Sequence, residues 1–477
     1  MDLPRSILKS PYKSDQWTSY TVSVVMIASL PFLVGIAAAA VVNLESRQTA
    51  AQITTVDLSV NTGSPIRRAS GVLYGVPNTK NQIPSSFYTG MGFNYLSAGG
   101  AQFTGATGWI FGGYTARFQD VLSNFQTARQ FNAQFILKMS DLWGTDGTQG
   151  ANGVYPGANG DFTEFDAYLT QLVADLKANG MTTNIKLLIW NEPNLTAFWK
   201  APQAQYFATW NHAVQFLRAH LPGVPIAGPA LATAPNSADT WWTGFLGNVK
   251  SANTAPDVYT WHHEGSSNDV NNDLQTSQPA MVALLNAHAL IIGEFIIDEY
   301  ANVGEQNPSS AAWWIARFER FNMSGLRGNW LSGANLQDFL SGLLWKSGST
   351  YFANGEWQVY NYYATSMTGF RVASTGSTDR LMDNFAVVGT NIVRILVGGR
   401  LVTGTYTLQI KNLSALGLAT SGTINVTTRQ FSFAGTEGPE GAPTNLGVVA
   451  HTYTGNVLSF PIFQTDTVTT WAFEFNF

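Results

Sequence analysis

Residues 185–194 read Ile185-Lys-Leu-Leu-Ile-Trp-Asn-Glu-Pro-Asn194, an apolar ladder that runs straight into an amide and a carboxylate. A short apolar run of this kind reads as a buried strand, and Pro193, which has no N–H to give a ladder, stops it. The strand at 185–190 has seven counterparts, at residues 70–76, 93–98, 134–139, 225–229, 258–262, 295–299 and 326–330. Between them lie amphipathic stretches, such as residues 162–178, closed by Asn179-Gly180, and residues 206–220, closed by Leu221-Pro222-Gly223. Eight strands alternating with helices over about 260 residues match the size and period of a (β/α)8 TIM barrel, which sets the fold class as α/β.

Past residue 330 the texture changes. Residues 333–345 and 356–367 still read as helix, the second being the last helix of the barrel. Beyond about residue 380 the pattern is strands alone, with runs at 387–397, 404–411, 422–428 and 467–475 rich in Val, Thr and aromatics and separated by Gly and Pro turns. These features predict an all-β sandwich over 381–477, following a barrel over 56–380. The alternating run at 53–60 is expected to join that sandwich before the chain enters the barrel. No period of 20 to 50 residues recurs, which argues against a solenoid or a propeller.

Of the 477 residues, 45% are hydrophobic and only 12% are charged, and the formal charge is -5 with no long basic run. That surface suits an uncharged partner such as carbohydrate and disfavours nucleic acid. The 15 Trp, 17 Tyr and 29 Phe supply many flat apolar faces, which fill cores and can also stack on sugar rings. There is no cysteine, so disulfides, a thiol nucleophile and Cys-ligated zinc are excluded. Residues 21–42 form an uncharged apolar run long enough to cross a bilayer, which takes about 20 residues as a helix. Arg5, Lys9 and Lys13 precede it. That bias predicts a cytoplasmic tail over 1–20, a signal anchor over 21–42, a polar linker over 43–55 and a lumenal or extracellular remainder. The alternative is a signal peptide cleaved at Ala38-Ala39-Ala40. Acceptor triplets for N-glycosylation begin at Asn194, Asn322, Asn412 and Asn425.

Barrel enzymes build their sites at the C-terminal ends of the strands, so the residues just past each apolar run are the candidates. Glu192 stands there after the fourth strand. The segment Trp190-Asn-Glu-Pro-Asn resembles the acid/base motif of clan A glycoside hydrolases, nearest to family 39 and the fungal proteins similar to it. The likeness extends over residues 70–370, through Pro256-Asp-Val-Tyr-Thr-Trp-His-His-Glu-Gly, Ala312-Trp-Trp-Ile-Ala-Arg-Phe-Glu-Arg and Gly325-Leu-Arg-Gly-Asn-Trp-Leu-Ser-Gly. The resemblance implies a retaining hydrolase of β-linked glycans that needs no cofactor and no metal, with Glu192 as general acid/base and Asn191 bonding the sugar 2-hydroxyl. Glu192 must then reach the glycosidic oxygen protonated, while its partner stays ionised.

The partner carboxylate comes, by the same resemblance, from the end of the seventh strand, where Glu294 and Glu299 both fit a Glu-aromatic pattern. Glu294 falls near the strand's start and Glu299 at its end, and their odd separation points them to opposite faces of one continuous strand. The sequence therefore favours Glu299 as nucleophile, with Glu294 as the alternative and Asp298 structural. His262 resembles the clan's histidine that contacts the nucleophile. On a strand His262 and Glu264 share a face while Trp261 and His263 take the other, which makes a zinc site of His262, His263 and Glu264 a poor one. Trp330, ending the eighth strand, and Trp143, after the third, are candidate platforms for a sugar ring. The glycines near Gly99, Gly100 and Gly105 lack a phosphate loop's Lys-Ser/Thr, so no nucleotide is expected, and no Gly-x-Ser-x-Gly elbow occurs. The rival to an enzyme is an inactive glycan-binding or wall-structuring protein on the same fold.

Overall fold

The computed structural model describes residues 52–103, 107–148 and 153–477. The expected tail at 1–20, the apolar span at 21–42 and most of the linker at 43–55 lie outside the described residues. Among the described residues no helix is long and apolar enough to cross a membrane.

The first strand, β1 (Ile53–Asn61), belongs to the C-terminal sheet. Then β2 (Gly71–Leu73), β3 (Tyr95–Ala98), β4 (Gln134–Lys138), β5 (Ile185–Leu188), β6 (Ile226–Leu231), β7 (Val258–His263), β8 (Glu294–Tyr300) and β9 (Ser324–Arg327) form a closed parallel barrel in sequence order. Closure is made by β9 on β2, where Gly71 pairs with Leu326 and Val72 with Arg327.

Period two sorts the side chains. Tyr95, Ile136, Leu188, Ala227, Val258, Ile296 and Leu326 fill the lumen as one cluster. Their neighbours Phe135, Leu137, Leu187, Tyr259, Trp261, Phe295 and Ile297 face the surrounding helices. The helices run Tyr114–Gln130, Thr163–Ala178, Gln203–His220, Thr240–Ala252, Leu274–Ala287, Pro308–Phe321 and Gly355–Thr365. Four of them start on side-chain caps, with Asp239, Asp273, Asn307 and Asn354 accepting from backbone N–H groups of the first turn.

The helix expected at 333–345 is not formed. A 3-10 turn, Gly333–Gln337, leads into three consecutive left-handed residues, Phe339, Leu340 and Ser341, and then into a hairpin of β10 (Leu344–Ser347) and β11 (Thr350–Ala353). Tertiary bonds override the helical pattern here. Ser341 Oγ donates to the Leu73 carbonyl, the Ser341 carbonyl accepts from Arg327, and Asp338 takes the Tyr351 hydroxyl and the Lys346 ammonium.

The rest is a mostly antiparallel nine-stranded sheet, ordered β17-β16-β19-β14-β13-β12-β1-β15-β18, that folds over its own core as a sandwich. Its further strands are β12 (Phe370–Thr375), β13 (Met382–Val388), β14 (Ile392–Gly399), β15 (Gly404–Lys411), β16 (Gly422–Phe431), β17 (Thr444–Tyr453), β18 (Val457–Gln464) and β19 (Thr470–Asn476). Since β12 pairs with both β1 and β13, the sheet begins ahead of the expected boundary at 381. The run at 387–397 is two strands, because Gly389 turns the chain back with its N–H on the Ile392 carbonyl.

Barrel and sandwich meet on the helix Pro308–Phe321, whose residues are buried almost all round. Gly398 of β14 lets the sheet backbone touch the helix: a Cβ there would sit 2.3 Å from the Ser309 carbonyl oxygen and 2.4 Å from the Trp313 nitrogen. Arg317 crosses the joint, its Nη1 2.6 Å from Asp383 Oδ2 of the sandwich and its Nε 3.0 Å from Asp273 Oδ1 of the barrel. The guanidinium groups of Arg317 and Arg400 both lie against the Trp313 ring. Arg317→Ala would leave two buried carboxylates short of their cation, at a cost on the order of 3–5 kcal/mol. The expected outcome is a clearly lowered Tm in a thermal melt; a Tm unchanged within a degree or so would mean that Arg320 alone satisfies Asp383.

Candidate active site

Beyond β5 the chain leaves the barrel through Trp190, which is buried against Trp199 with Nε1 bonded to the Phe198 carbonyl. The next two residues turn inward. Asn191 is buried, its N–H facing Ser140 Oγ at 3.3 Å and its Oδ1 accepting from Lys138 Nζ at 2.5 Å. Glu192 has φ +42°, a left-handed conformation that costs a residue with a Cβ on the order of 1–3 kcal/mol. Its N–H is held by the carbonyl of Ala230, itself left-handed past the cis peptide at the end of β6. Strain of this kind persists only where the surroundings over-determine it, and here it aims the Glu192 carboxylate across the mouth.

Glu299 arrives by a different device. Period two would keep Ile296 and Asp298 in the lumen and send Ile297 and Glu299 to the helices. Between β7 and β8, however, Trp261 pairs with Ile297 and His262 with Glu299, so Asp298 is the extra residue of a β-bulge. Past the bulge Tyr300 packs outward on Trp314 and Phe318, and Glu299 turns into the mouth. The expectation that Glu294 and Glu299 face opposite sides of a continuous strand is therefore corrected. Both point to the lumen side, but at opposite ends. Glu294 opens β8 at the bottom of the barrel, with its side chain 44% exposed, accepting from Tyr95 Oη at 3.1 Å and lying 3.5 Å from Lys186 Nζ.

His262 connects the two upper acids. Its Nδ1 is 2.8 Å from Glu192 Oε1, and its Nε2 is 3.4 Å from Asp298 Oδ2 and 3.6 Å from Glu299 Oε1. Lys138, at the end of β4, places Nζ 2.5 Å from the same Glu299 oxygen. Donor atoms of Glu192, His262 and Glu299 all lie within 4.8 Å of one another. Burial alone would raise the Glu299 carboxyl, but the His262 imidazolium and the Lys138 ammonium outweigh it and hold that group below the usual carboxylate range. Burial likewise works against the His262 cation, and Glu299 and Asp298 reverse this, lifting the imidazole well above its ordinary value. The same three donors have the span of a metal site, but a lysine ammonium 2.5 Å from Glu299 opposes a second cation there.

Other sequence candidates are placed as follows. Trp330 stands beyond β9, 46% exposed, with Nε1 bonded to the Ala301 carbonyl. Trp143 does not reach the mouth and is corrected to a core residue. The chain turns into a short helix, Met139–Trp143, straight after β4, which swings the ring among Phe165 and Tyr168, leaves it 1% exposed and bonds Nε1 to the Val154 carbonyl. His263 faces the helix layer between Asn272 and Ser277, and burial there lowers its pKa to about 3. Sequence reasoning passed over Lys138. Its signal was a lone cation in Phe135-Ile-Leu-Lys-Met, in lumen phase with Ile136 at the end of a strand.

No family model matches the chain, and no curated protein matches it. Solved structures do. A protein from Neocallimastix frontalis, N2152, superposes with a TM-score of 0.70 at 21% identity, covering 89% of this chain and 99% of its own. The glycoside hydrolase family 39 enzyme of Xanthomonas axonopodis pv. citri gives 0.55 at 14%, covering 92% and 100%. The family 30 subfamily 8 xylanase Xyn30A of Clostridium acetobutylicum gives 0.54 at 15%, covering 89% and 100%. The chain shares the fold of these proteins, an eight-stranded barrel followed by a β-sandwich.

The charge arrangement has a measurable consequence. Because the folded-state pKa of His262 is raised, its protonation stabilises the fold fully below the ordinary imidazole value, and this contribution fades as pH rises through the folded value. In Glu299→Gln the largest favourable partner is gone. Imidazole nitrogen NMR should show His262 doubly protonated above pH 7 in the parent protein and titrating at clearly lower pH in the variant; a neutral His262 at pH 7 in the parent would refute the arrangement.

Proposed function

We propose that this protein is a retaining glycosidase acting on β-linked glycans, cell-wall or extracellular polysaccharide or oligosaccharide being the substrate class, with Glu192 as general acid/base and Glu299 as nucleophile. The observation that carries this reading is the approach of a Glu192 oxygen and a Glu299 oxygen to within 4.8 Å across the mouth. Retaining enzymes set their two carboxyl groups about 5–5.5 Å apart, whereas inverting ones need about 6.5–9.5 Å to seat a water. The surroundings of the two acids also differ. Glu299, between Lys138 and His262, is kept as an anion and can attack an anomeric carbon. Glu192, bonded through one oxygen to His262, can present its other oxygen to the departing glycosidic oxygen.

In the first step Glu299 Oε bonds to the anomeric carbon, the glycosidic C–O bond breaks, and the proton of Glu192 goes to the leaving oxygen. In the second, Glu192 takes a proton from water, the water oxygen bonds to the anomeric carbon, and the ester to Glu299 is released. Asn191, with Oδ1 fixed by Lys138, has Nδ2 to offer a sugar hydroxyl, and the exposed ring of Trp330 offers a stacking face at the rim. Among the similar structures are xylanases and β-xylosidases, which supports β-glycan substrates.

A panel of aryl β-glycosides and β-glycans tests this. Glu192→Gln should lose about a hundredfold or more on substrates with poor leaving groups and far less on dinitrophenyl glycosides, which leave without a proton. Mass mapping after trapping with a fluorinated glycoside should find the label on Glu299. A label on Glu294 would overturn the assignment, and a wild type that binds a glycan but hydrolyses none would favour the binding-protein reading.

We propose further that residues 21–42 anchor the chain in a membrane, a reading supported by the apolar run of the sequence and by Arg5, Lys9 and Lys13 ahead of it. Alkaline carbonate extraction of expressing cells should leave the protein in the pellet; a soluble product beginning near residue 41 would show a cleaved signal peptide instead.

A further inference from the structure

On the same face of the barrel as the two carboxylates lies a cavity of about 200 Å³. Its walls come from the segment 77–82 after β2, from Gln102 and Phe103 after β3, and from the segment 334–338 after β9. All of these follow the C-terminal ends of strands, so the cavity opens where Glu192 and Glu299 emerge. The barrel order fixes the side. β9 pairs with β8, which carries Glu299, and β2 and β3 come next, whereas β5, which leads to Glu192, stands across the barrel from β9.

The walls are polar and tied together. Asn329 Nδ2 donates to the carbonyls of Leu73 and Leu336, and the Gly333 N–H donates to Gln102 Oε1, which leaves Gln102 Nε2 to offer. Asp338 accepts from Tyr351 Oη at 2.7 Å and from Lys346 Nζ at 2.6 Å. Gln337 is 8% exposed, and its Nε2 is held on the Ala101 carbonyl at 2.8 Å. Its Oε1 is buried with no hydrogen-bond partner among the described residues. A buried acceptor without a donor is unfavourable, and a ligand hydroxyl would satisfy it. Phe103 adds a half-buried ring. No Lys, Arg or His lines the cavity, and Asp338 puts an anion in its wall, which disfavours a phosphate or a uronate. The volume is below the about 300–1,000 Å³ of pockets for drug-sized ligands, and amides beside one apolar ring suit a single uncharged sugar.

We propose that this cavity is a subsite for one neutral sugar of the glycan, the unit on the non-reducing side of the sugar attacked by Glu299. This rests on the reading of Glu192 as acid and Glu299 as nucleophile. The leaving oxygen takes the proton of Glu192, so the departing part of the chain lies on the β5 side. The part retained on Glu299 extends the other way, past the exposed Trp330 after β9, to the cavity. There a hydroxyl donates to Gln337 Oε1 and the ring meets Phe103. The protein therefore prefers glycosides whose retained part has two or more sugars over those with one.

Ala334 is exposed in the cavity wall, and Ala334→Trp fills the space without removing a polar group. The full-length chain is assayed for kcat/KM on the 4-nitrophenyl β-glycosides of xylose, glucose, mannose and galactose and on the matching β-linked biosides. Wild type should favour the bioside of its sugar by about tenfold or more, and Ala334→Trp should bring that ratio close to one. Gln337→Leu, which removes the acceptor, should lower the ratio about fivefold. The ratio does not depend on how much of a variant folds. A second readout needs no turnover. Calorimetry with the β-linked hexaoses of the same four sugars, in the Glu192→Gln background, should find one that binds about tenfold or more weakly once Ala334→Trp is added. A bioside ratio that is the same in wild type and Ala334→Trp overturns the proposal. So does hexaose binding that is absent, or equal with and without Ala334→Trp. A chain that hydrolyses none of the glycosides yet loses hexaose affinity through Ala334→Trp keeps the subsite and counts against the glycosidase reading alone.

Discussion

Carboxylates brought together at a barrel mouth repel one another and lose much of their hydration, so the approach of Glu192, Asp298 and Glu299 depends on the two cations that share the space. Lys138 and His262 supply these charges from β4 and β7, in each case from a lumen-phase position at the end of a strand. Neither cation has a single partner. Lys138 touches both Asn191 and Glu299, and His262 spans Glu192 and the β8 acids. The result is asymmetric. Glu299 is boxed by positive charge, whereas Glu192 meets it on one oxygen only, an asymmetry that suits the different roles proposed for the two glutamates.

These distances require β8 to stay where it is, and the protein secures the strand from outside. The helix Pro308–Phe321 that follows β8 is covered by the barrel on one side and by β13 and β14 on the other. Tyr300, next to Glu299, packs on Trp314 and Phe318 of that helix and bonds Tyr360 and the Ala69 carbonyl. The sandwich thus acts as a wall behind the site. Arg317 and Arg400 carry the same logic in charge, running from helix to Asp383 and from β14 side to Glu305 across a joint with little water.

Much of this was legible in the sequence because barrel strands are short apolar runs at regular spacing. All eight runs fall on barrel strands, and the acid after the fourth announces the mouth. What stayed hidden depends on contacts between distant segments. Residues 333–345 have helical spacing, but bonds from Leu73 and Arg327 to Ser341 unwind them. Trp143 reads as a mouth aromatic until a helical turn after β4 buries it. β17 exposes almost every residue, so it lacks the alternation by which a strand is recognised. Lys138 is a single polar residue at a strand end, and nothing local says that its partner Glu299 comes from β8.

The two acids sit where regular geometry fails, and this is a physical requirement of the site. A regular parallel strand alternates lumen and helix sides, so it can deliver only one residue in two to the mouth and cannot place neighbours at will. On β8, period two gives the lumen Asp298 and hides Glu299 against the helices. The bulge uses Asp298 as the extra residue and turns Glu299 inward, leaving the Asp298 carboxylate buried with His262 Nε2 3.4 Å from it. After β5, the left-handed turn at Glu192 does the same work without an insertion. Both departures lower stability locally, and both are anchored by neighbours: Ala230 holds Glu192, while Tyr300 returns β8 to register beside β9. The barrel supplies the frame, and its two irregularities bring the carboxylates within reach of one bond.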